Sequence, residues 1–268
     1  MLFSACAGVS SEFDAVSIII PTCDDATELS RCLKDLRGLD CEIIVVDCGA
    51  DAETRCVAEI AGCHLVLSVH RHRARQMNLG AAVASGNCLL FLHADTRLPP
   101  GWLEKVRNAM KDRRNVGGAF ARKYESSSVF LRTTCWLAKW RSRIFGWYLG
   151  DQTIFVRRAV FEALNGYQDF SVFEDLDFSR RLRASGRSLT LFPGVVSSAR
   201  RFDHRGPFAT TMADLLLTLR YLAGADPNLL AKKRSAPLRQ DLGLFLRNIG
   251  RVRKIAGWIY MRSRVSHP

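Results

Sequence analysis

Four short apolar runs, spaced by amphipathic helical segments, constrain the first hundred residues more than any other feature. They are Val16-Ser17-Ile18-Ile19-Ile20-Pro21, Glu42 to Asp47 with Ile43-Ile44-Val45-Val46 inside it, His64 to Val69, and Cys88-Leu89-Leu90-Phe91-Leu92. Continuous β-branched and apolar runs of this length are strands buried on both faces. Thr27 to Arg37, Ala52 to Ala61 and Ala74 to Ala84 read as the intervening helices, the first with Leu29, Leu33 and Leu36 on one face. Strands alternating with helices predict an α/β fold, a parallel sheet with helices on both sides.

In a sheet of this kind ligands bind at the carboxyl ends of the strands. Those ends carry Pro21-Thr22-Cys23-Asp24-Asp25, Asp47-Cys48-Gly49, His70-Arg71 and His93-Ala94-Asp95. Asp25, Asp47 and Asp95 together suit a ribose, a base edge and a metal ion. Side chains alternate along an extended segment, so His93 and Asp95 are expected on one face, where both could ligate Mn²⁺ or Mg²⁺. The plainer alternative is that His93 packs at the strand end and Asp95 caps the turn before Pro99.

The second half is more mixed. Trp102 to Lys111, Val129 to Phe145, a stretch ending at Leu164, and Leu176 to Ala184 read as helices, as does the chain beyond Phe208. Gly117 to Phe120, Thr153 to Val156 and Leu189 to Phe192 read as strands. Glu174-Asp175-Leu176-Asp177 opens a helix, where acidic residues ordinarily complement the dipole. One of them near a reacting hydroxyl could equally act as a general base. Basic groups cluster at His70-Arg71-His72-Arg73-Ala74-Arg75, at Arg200-Arg201 and at His204-Arg205; arginine forks match phosphate oxygens, although solvated surface charge is the simpler account of each one.

The 268 residues carry 39 Lys and Arg against 26 Asp and Glu, a net charge of +13, which favours anionic partners without choosing among nucleotide, nucleic acid and lipid. The nine cysteines have no Cys-x-x-Cys spacing and sit inside apolar or helical patterns, as small buried side chains in a reducing compartment would. Neither a spanning apolar run nor a secretory leader is recognised, so a cytoplasmic location is expected.

Taken in order, the motifs spell a family. Ser17-Ile18-Ile19-Ile20-Pro21-Thr22, Ile43-Ile44-Val45-Val46-Asp47, Arg75-Gln76-Met77-Asn78-Leu79-Gly80-Ala81, Phe91-Leu92-His93-Ala94-Asp95-Thr96, Gly150-Asp151-Gln152 and Glu174-Asp175 resemble the family 2 glycosyltransferases of GT-A fold, over about residues 16–206. The Leu-His-Ala-Asp-Thr form is similar to one bacterial subgroup. The resemblance implies a Rossmann-like, nucleotide-binding mixed sheet flanked by helices, with a C-terminal helical extension. It divides the chain into a flexible tail at 1–14, a catalytic domain at 15–206 and amphipathic helices at 207–268.

The implied activity moves a sugar from a nucleotide-sugar, a UDP-sugar first, to an acceptor that includes lipid-linked ones, with inversion and a divalent metal. Pro21, Thr22, Asp25, Asp47, Arg75, Asn78 and Gly80 match nucleotide-binding positions. Asp95, Asp151, Gln152, Arg200 and Arg201 match positions at the donor sugar and diphosphate. Asp95, with His93, matches the metal site, and Asp175, with Glu174, the catalytic base. His93 stands where the family has the first aspartate of Asp-x-Asp, Cys23-Asp24-Asp25 replaces aromatic-Asn-Glu, and Cys48 replaces an aspartate or glycine.

From Leu242, apolar residues recur at helical spacing through Leu246, Ile249, Val252, Ala256 and Ile259, with Arg247, Arg251, Lys254 and Arg262 among them. Such a helix either lies on an anionic membrane, here the inner face of the cell membrane, or packs on the catalytic domain. Trp136, Trp140, Trp147 and Tyr148 either line an acceptor groove or belong to the core. Two rival activities are compatible with the nucleotide-binding architecture. A nucleotidyltransferase would carry a glycine-rich activating loop after the first strand, where this chain has Thr22-Cys23-Asp24-Asp25. A non-catalytic nucleotide-sugar binding protein would not need the base and metal positions, and nucleic acid is not expected as a partner.

Overall fold

The apolar runs pair into one eight-stranded sheet, of order β3-β2-β1-β4-β7-β6-β8-β5. The computed structural model describes residues 15–203 and 205–234. In chain order its elements are β1 (Val16–Thr22), α1 (Ala26–Leu36), β2 (Glu42–Asp47), α2 (Ala52–Ile60), β3 (His64–Leu67), α3 (Arg73–Val83), β4 (Cys88–Phe91), β5 (Thr96–Arg97), α4 (Trp102–Lys111), β6 (Asn115–Tyr124), α5 (Val129–Phe145), β7 (Ile154–Arg157), α6 (Arg158–Ala163), α7 (Glu174–Ser185), β8 (Arg187–Ser197), α8 (Pro207–Leu222) and α9 (Pro227–Arg234). The expected tail at 1–14 and the basic amphipathic segment from Leu242 lie outside the described residues.

The first four strands are parallel, as the buried runs require. Beyond β4 the sheet is mixed: β7 runs antiparallel to β4 and β6, and β8 is parallel to β6. The parallel half is the one written in continuous apolar runs, and the sheet as a whole is mixed, as the resemblance implied. The two-residue β5, which pairs antiparallel with β8, has no periodic signal of its own.

Period-two alternation divides the core. Ile18 and Ile20 face Leu29, Leu33 and Trp102 on one side of the sheet. Ile19, Ile44 and Val46 face Ala74, Met77 and Ala81 on the other. Each of the fully buried Ile18, Ile19, Ile20, Ile44, Val46 and Leu29 contributes about 1.5–3 kcal/mol of transfer free energy. α3 comes close because Gly80 has no side chain: a Cβ there would stand 2.5 Å from Ile19 Cγ2 and 2.9 Å from Val46 Cγ2. Strand order reverses between β1 and β4, so a crevice opens where Thr22 and the turn after Phe91 leave the sheet.

Residues 15–169 and 174–200 form one compact unit. Residues 170–173 and the described residues from 201 onward form a second, built on Val172, Leu217 and Leu230, with Phe173 stacked on Tyr221 at 4.9 Å. This boundary lies at 200, a few residues before the one expected. No described helix is long and apolar enough to cross a membrane, and the eight described cysteines are free.

Candidate active site

The carboxyl ends of β1 and β2 are tied by a residue inside the Arg75–Ala81 motif that was not among the expected site residues. The buried Gln76 amide of α3 donates to the carbonyls of Thr22 and Val46, both at 2.8 Å. Asp47, 1 % exposed, accepts from Gly49 N at 3.1 Å and from Arg55 Nε at 3.4 Å. Thr22 is buried beside it, while Pro21 is partly exposed.

Asp95 lies across the crevice. Its chain is not extended: Thr96 N donates to His93 O at 3.0 Å, closing a turn over His93–Thr96. Strand alternation therefore does not apply, and His93 and Asp95 diverge. Asp95 faces Arg200, whose guanidinium lies 3.8 Å from it, 3.1 Å from Asp25 and 3.7 Å from Glu28. Burial raises the Asp95 carboxyl above the ordinary carboxylate range, against the pull of Arg200 and Arg73.

His93 belongs to a second cluster. A Cβ built on Gly150 would stand 2.7 Å from His93 Cε1 and Nε2 and 3.2 Å from Asp175 Oδ2, so both side chains converge on that glycine. Burial, then the charge of Arg73, pushes His93 down to about 3, which keeps the imidazole neutral. Asp175 accepts from the Gly150 amide and from Leu176 N. It sits in the first turn of α7, where the helix dipole favours the carboxylate by about 0.3–1 kcal/mol. Burial and the adjacent Glu174 carboxylate outweigh that and push Asp175 up to about 7. Glu174 is 5 % exposed and lies 3.7 Å from Arg73, the first residue of α3. Phe91, Tyr167 and Ile154 complete the wall.

Other expected site residues are engaged with protein groups. Gln152 is fully buried, and its amide is occupied by Arg141, Leu149, Phe120 and Ser142, so it holds the turn after α5. Asp151 accepts from Arg122 at 2.6 Å and from Tyr124 at 2.8 Å. Asn78 brackets the backbone of Tyr167, and Gly80 is the close-packing point described above. Arg75 makes a two-pronged pair with Asp169 at 2.8 and 2.5 Å. Arg201, in the second unit, pairs with Asp214. Arg122 and Tyr167 were missed because only long-range pairing brings them to the site. Arg73, Gln76 and Gly150 lie in stretches already singled out, the basic cluster, the Arg75–Ala81 motif and Gly150-Asp151-Gln152, each read for other residues or for phosphate.

No group of three or more His, Cys, Asp or Glu among the described residues could by itself hold a metal ion. Mg²⁺ and Mn²⁺ at phosphate sites commonly take one or two protein carboxylates and complete their shell with phosphate oxygens and water. Asp95 fits that limited role. The His93 ring lies against Gly150.

A nucleotide-type α/β sheet whose reversal point collects carboxylates, beside a carboxyl poised near neutral pH, defines a group-transfer enzyme. The match to the Glycosyl transferase family 2 model extends over residues 17–173, and the chain belongs to that family. It is 29 % identical over 220 residues to a PGL/p-HBAD biosynthesis glycosyltransferase of Mycobacterium bovis (strain BCG / Pasteur 1173P2), covering 74 % of this chain and 80 % of that one. An uncharacterized protein of Mycobacterium tuberculosis is 31 % identical over 150 residues, 52 % of this chain and 43 % of that one. Among solved structures, the mannosyltransferase PcManGT from Pyrobaculum calidifontis, in complex with GDP-Man and Mn²⁺, superposes with a TM-score of 0.60 at 18 % identity, covering 94 % of this chain and 76 % of that one. S. aureus TarS 1-349 in complex with UDP-GlcNAc gives 0.57 at 15 % identity, with 90 % and 79 % covered. The fold is GT-A, and the protein is a glycosyltransferase.

Proposed function

We propose that this glycosyltransferase moves a sugar from a nucleotide-sugar to an acceptor hydroxyl by a single inverting displacement, with Asp175 as the base. The observation that carries the reading is the Asp175 carboxyl, raised to about 7 and fixed by the Gly150 amide beside a neutral His93. A general base works best when its pKa lies near the operating pH. Asp175 takes the acceptor proton; the acceptor oxygen forms the new bond to the anomeric carbon as the bond to the diphosphate oxygen breaks. Glu174, held near Arg73, keeps Asp175 basic.

Pro21, Thr22, Asp25 and Asp47 line the nucleoside end, and Arg200 answers phosphate charge. When bound at Asp95, Mn²⁺ or Mg²⁺ supplies Lewis-acid neutralisation of the diphosphate. Complexes of fold relatives with GDP-Man and Mn²⁺ and with UDP-GlcNAc support a nucleotide-sugar donor and a divalent ion. Thermal-shift screening of UDP-, GDP- and dTDP-sugars with Mn²⁺ or Mg²⁺ is expected to give a metal-dependent rise in melting temperature with one nucleotide, UDP first. No rise with any of them would overturn the donor assignment.

A further inference from the structure

The first unit holds a second cavity, outside the carboxylate clusters, of about 650 Å³ between β6, α5 and the Phe192-Pro193-Gly194 stretch of β8. That volume lies within the range of pockets that enclose small organic ligands, about 300–1,000 Å³. Its wall carries Arg122, Lys123, Arg132 and Lys139 and no carboxylate. Arg122 is neutralised by Asp151. Lys123, Arg132 and Lys139 pair with no acidic group among the described residues, so three cations face one space uncompensated.

The rest of the wall is apolar and aromatic, with Leu131, Trp136, Phe192 and Pro193. Trp136 continues outward: its ring meets Trp140 edge-on at 6.1 Å, and the two are 57 % and 46 % exposed. α5 contains no Asp or Glu, and it also exposes Leu137, Ile144 and Phe145. Two of the lining residues connect the cavity to the Asp175 cluster through hydrogen bonds. Arg122 and Tyr124 both hold Asp151, the neighbour of the Gly150 whose amide binds Asp175.

From this juxtaposition we infer that the cavity binds the acceptor, and that the acceptor is an anionic amphiphile: a phosphate or carboxylate among Lys123, Arg132 and Lys139, with an acyl or aryl portion running over Trp136 and Trp140. The acceptor role rests on the reading of Asp175 as the base; the binding site itself does not. Cations set around an anion in a partly dry pocket give charge-assisted contacts, and aromatic faces cover an apolar chain with little loss of side-chain entropy.

Calorimetric titration of the full chain with octyl phosphate, octyl glucoside and inorganic phosphate, below micelle formation, tests it. Octyl phosphate is expected to bind at least about tenfold more tightly than either of the others, because only it offers both halves. The Arg132→Glu/Lys139→Glu chain is expected to lose that preference, with its melting temperature reporting the fold. If charge reversal unfolds the chain, Trp136→Ala at an exposed position carries the test, with the octyl contribution reduced. Equal affinity for octyl phosphate and octyl glucoside, or for octyl phosphate and inorganic phosphate, would overturn the inference, as would a folded variant that binds like the parent. A nucleotide-sugar thermal shift on the unsubstituted chain separates the two readings. Donor binding without octyl phosphate binding sinks the cavity inference alone, and octyl phosphate binding without any donor sinks the donor reading alone.

Discussion

The clusters around Asp95 and Asp175 both gather carboxylates at the mouth of one sheet, and they differ in what answers the charge. Asp95, Asp25 and Glu28 share the guanidinium of Arg200. Asp175 has backbone amides and a neutral imidazole around it, with Glu174 alongside. Burial raises both Asp95 and Asp175 and an arginine opposes the shift at each, but Asp175 alone stands beside a second buried carboxylate, Glu174, and is pushed up to about 7. The first arrangement suits binding of a charged group and the second suits proton transfer. The same residue type acquires two uses from its surroundings.

The largest expected effect separates the two directly. Asp175→Asn is expected to lower the transfer rate by about 10²–10⁴, the usual share of a general base, while donor affinity stays within a few-fold of the parent. Assays of kcat together with donor binding check this, and equal loss of both would merge the clusters. Next comes pH. With Asp175 pushed up to about 7, the active, ionised base is lost as pH falls through that value, so kcat/KM should drop about tenfold per unit below it and level off above. A flat profile from pH 5 to 8 would remove the distinction.

Smaller effects sharpen it. Arg200→Ala should raise the donor KM by about ten- to a hundredfold, the value of a charged hydrogen bond, with less change in kcat. A kcat loss without a KM change would move Arg200 to the other cluster. Gly80→Ala should cost about 1–3 kcal/mol of stability by overpacking Ile19 and Val46, read by denaturant unfolding, and should leave the donor KM alone.

Legibility in the sequence followed burial. The strands of the parallel half are buried on both faces, and Ile18–Ile20, Ile44–Val46 and Leu89–Phe91 could be read as such. β6 could be read only over Gly117 to Phe120, since Arg122 and Lys123 break the apolar pattern beyond it; β8 runs through Pro193, and β5 is two residues long. At the site, Asp95 and Asp175 stand out in the sequence because each lies at the end of an element. The relation between His93 and Asp95 could not be read, because β4 ends at Phe91 and a turn replaces the strand alternation. Gln152 and Asn78 belong to recognisable motifs, yet the structure uses them to hold turns and loops, which a motif does not reveal. Trp136 and Trp140 are exposed while Tyr148 is fully buried, so the aromatic group expected to act together divides between surface and core.

Arg200 has one more consequence, in the order of events. A guanidinium already shared by Asp25, Glu28 and Asp95 competes with any divalent cation for the same oxygens. A diphosphate changes that balance by offering Arg200 a better anion and the cation additional oxygens. The ion should therefore load together with the nucleotide, and Mn²⁺ titrated alone should bind far more weakly than Mn²⁺ titrated with it.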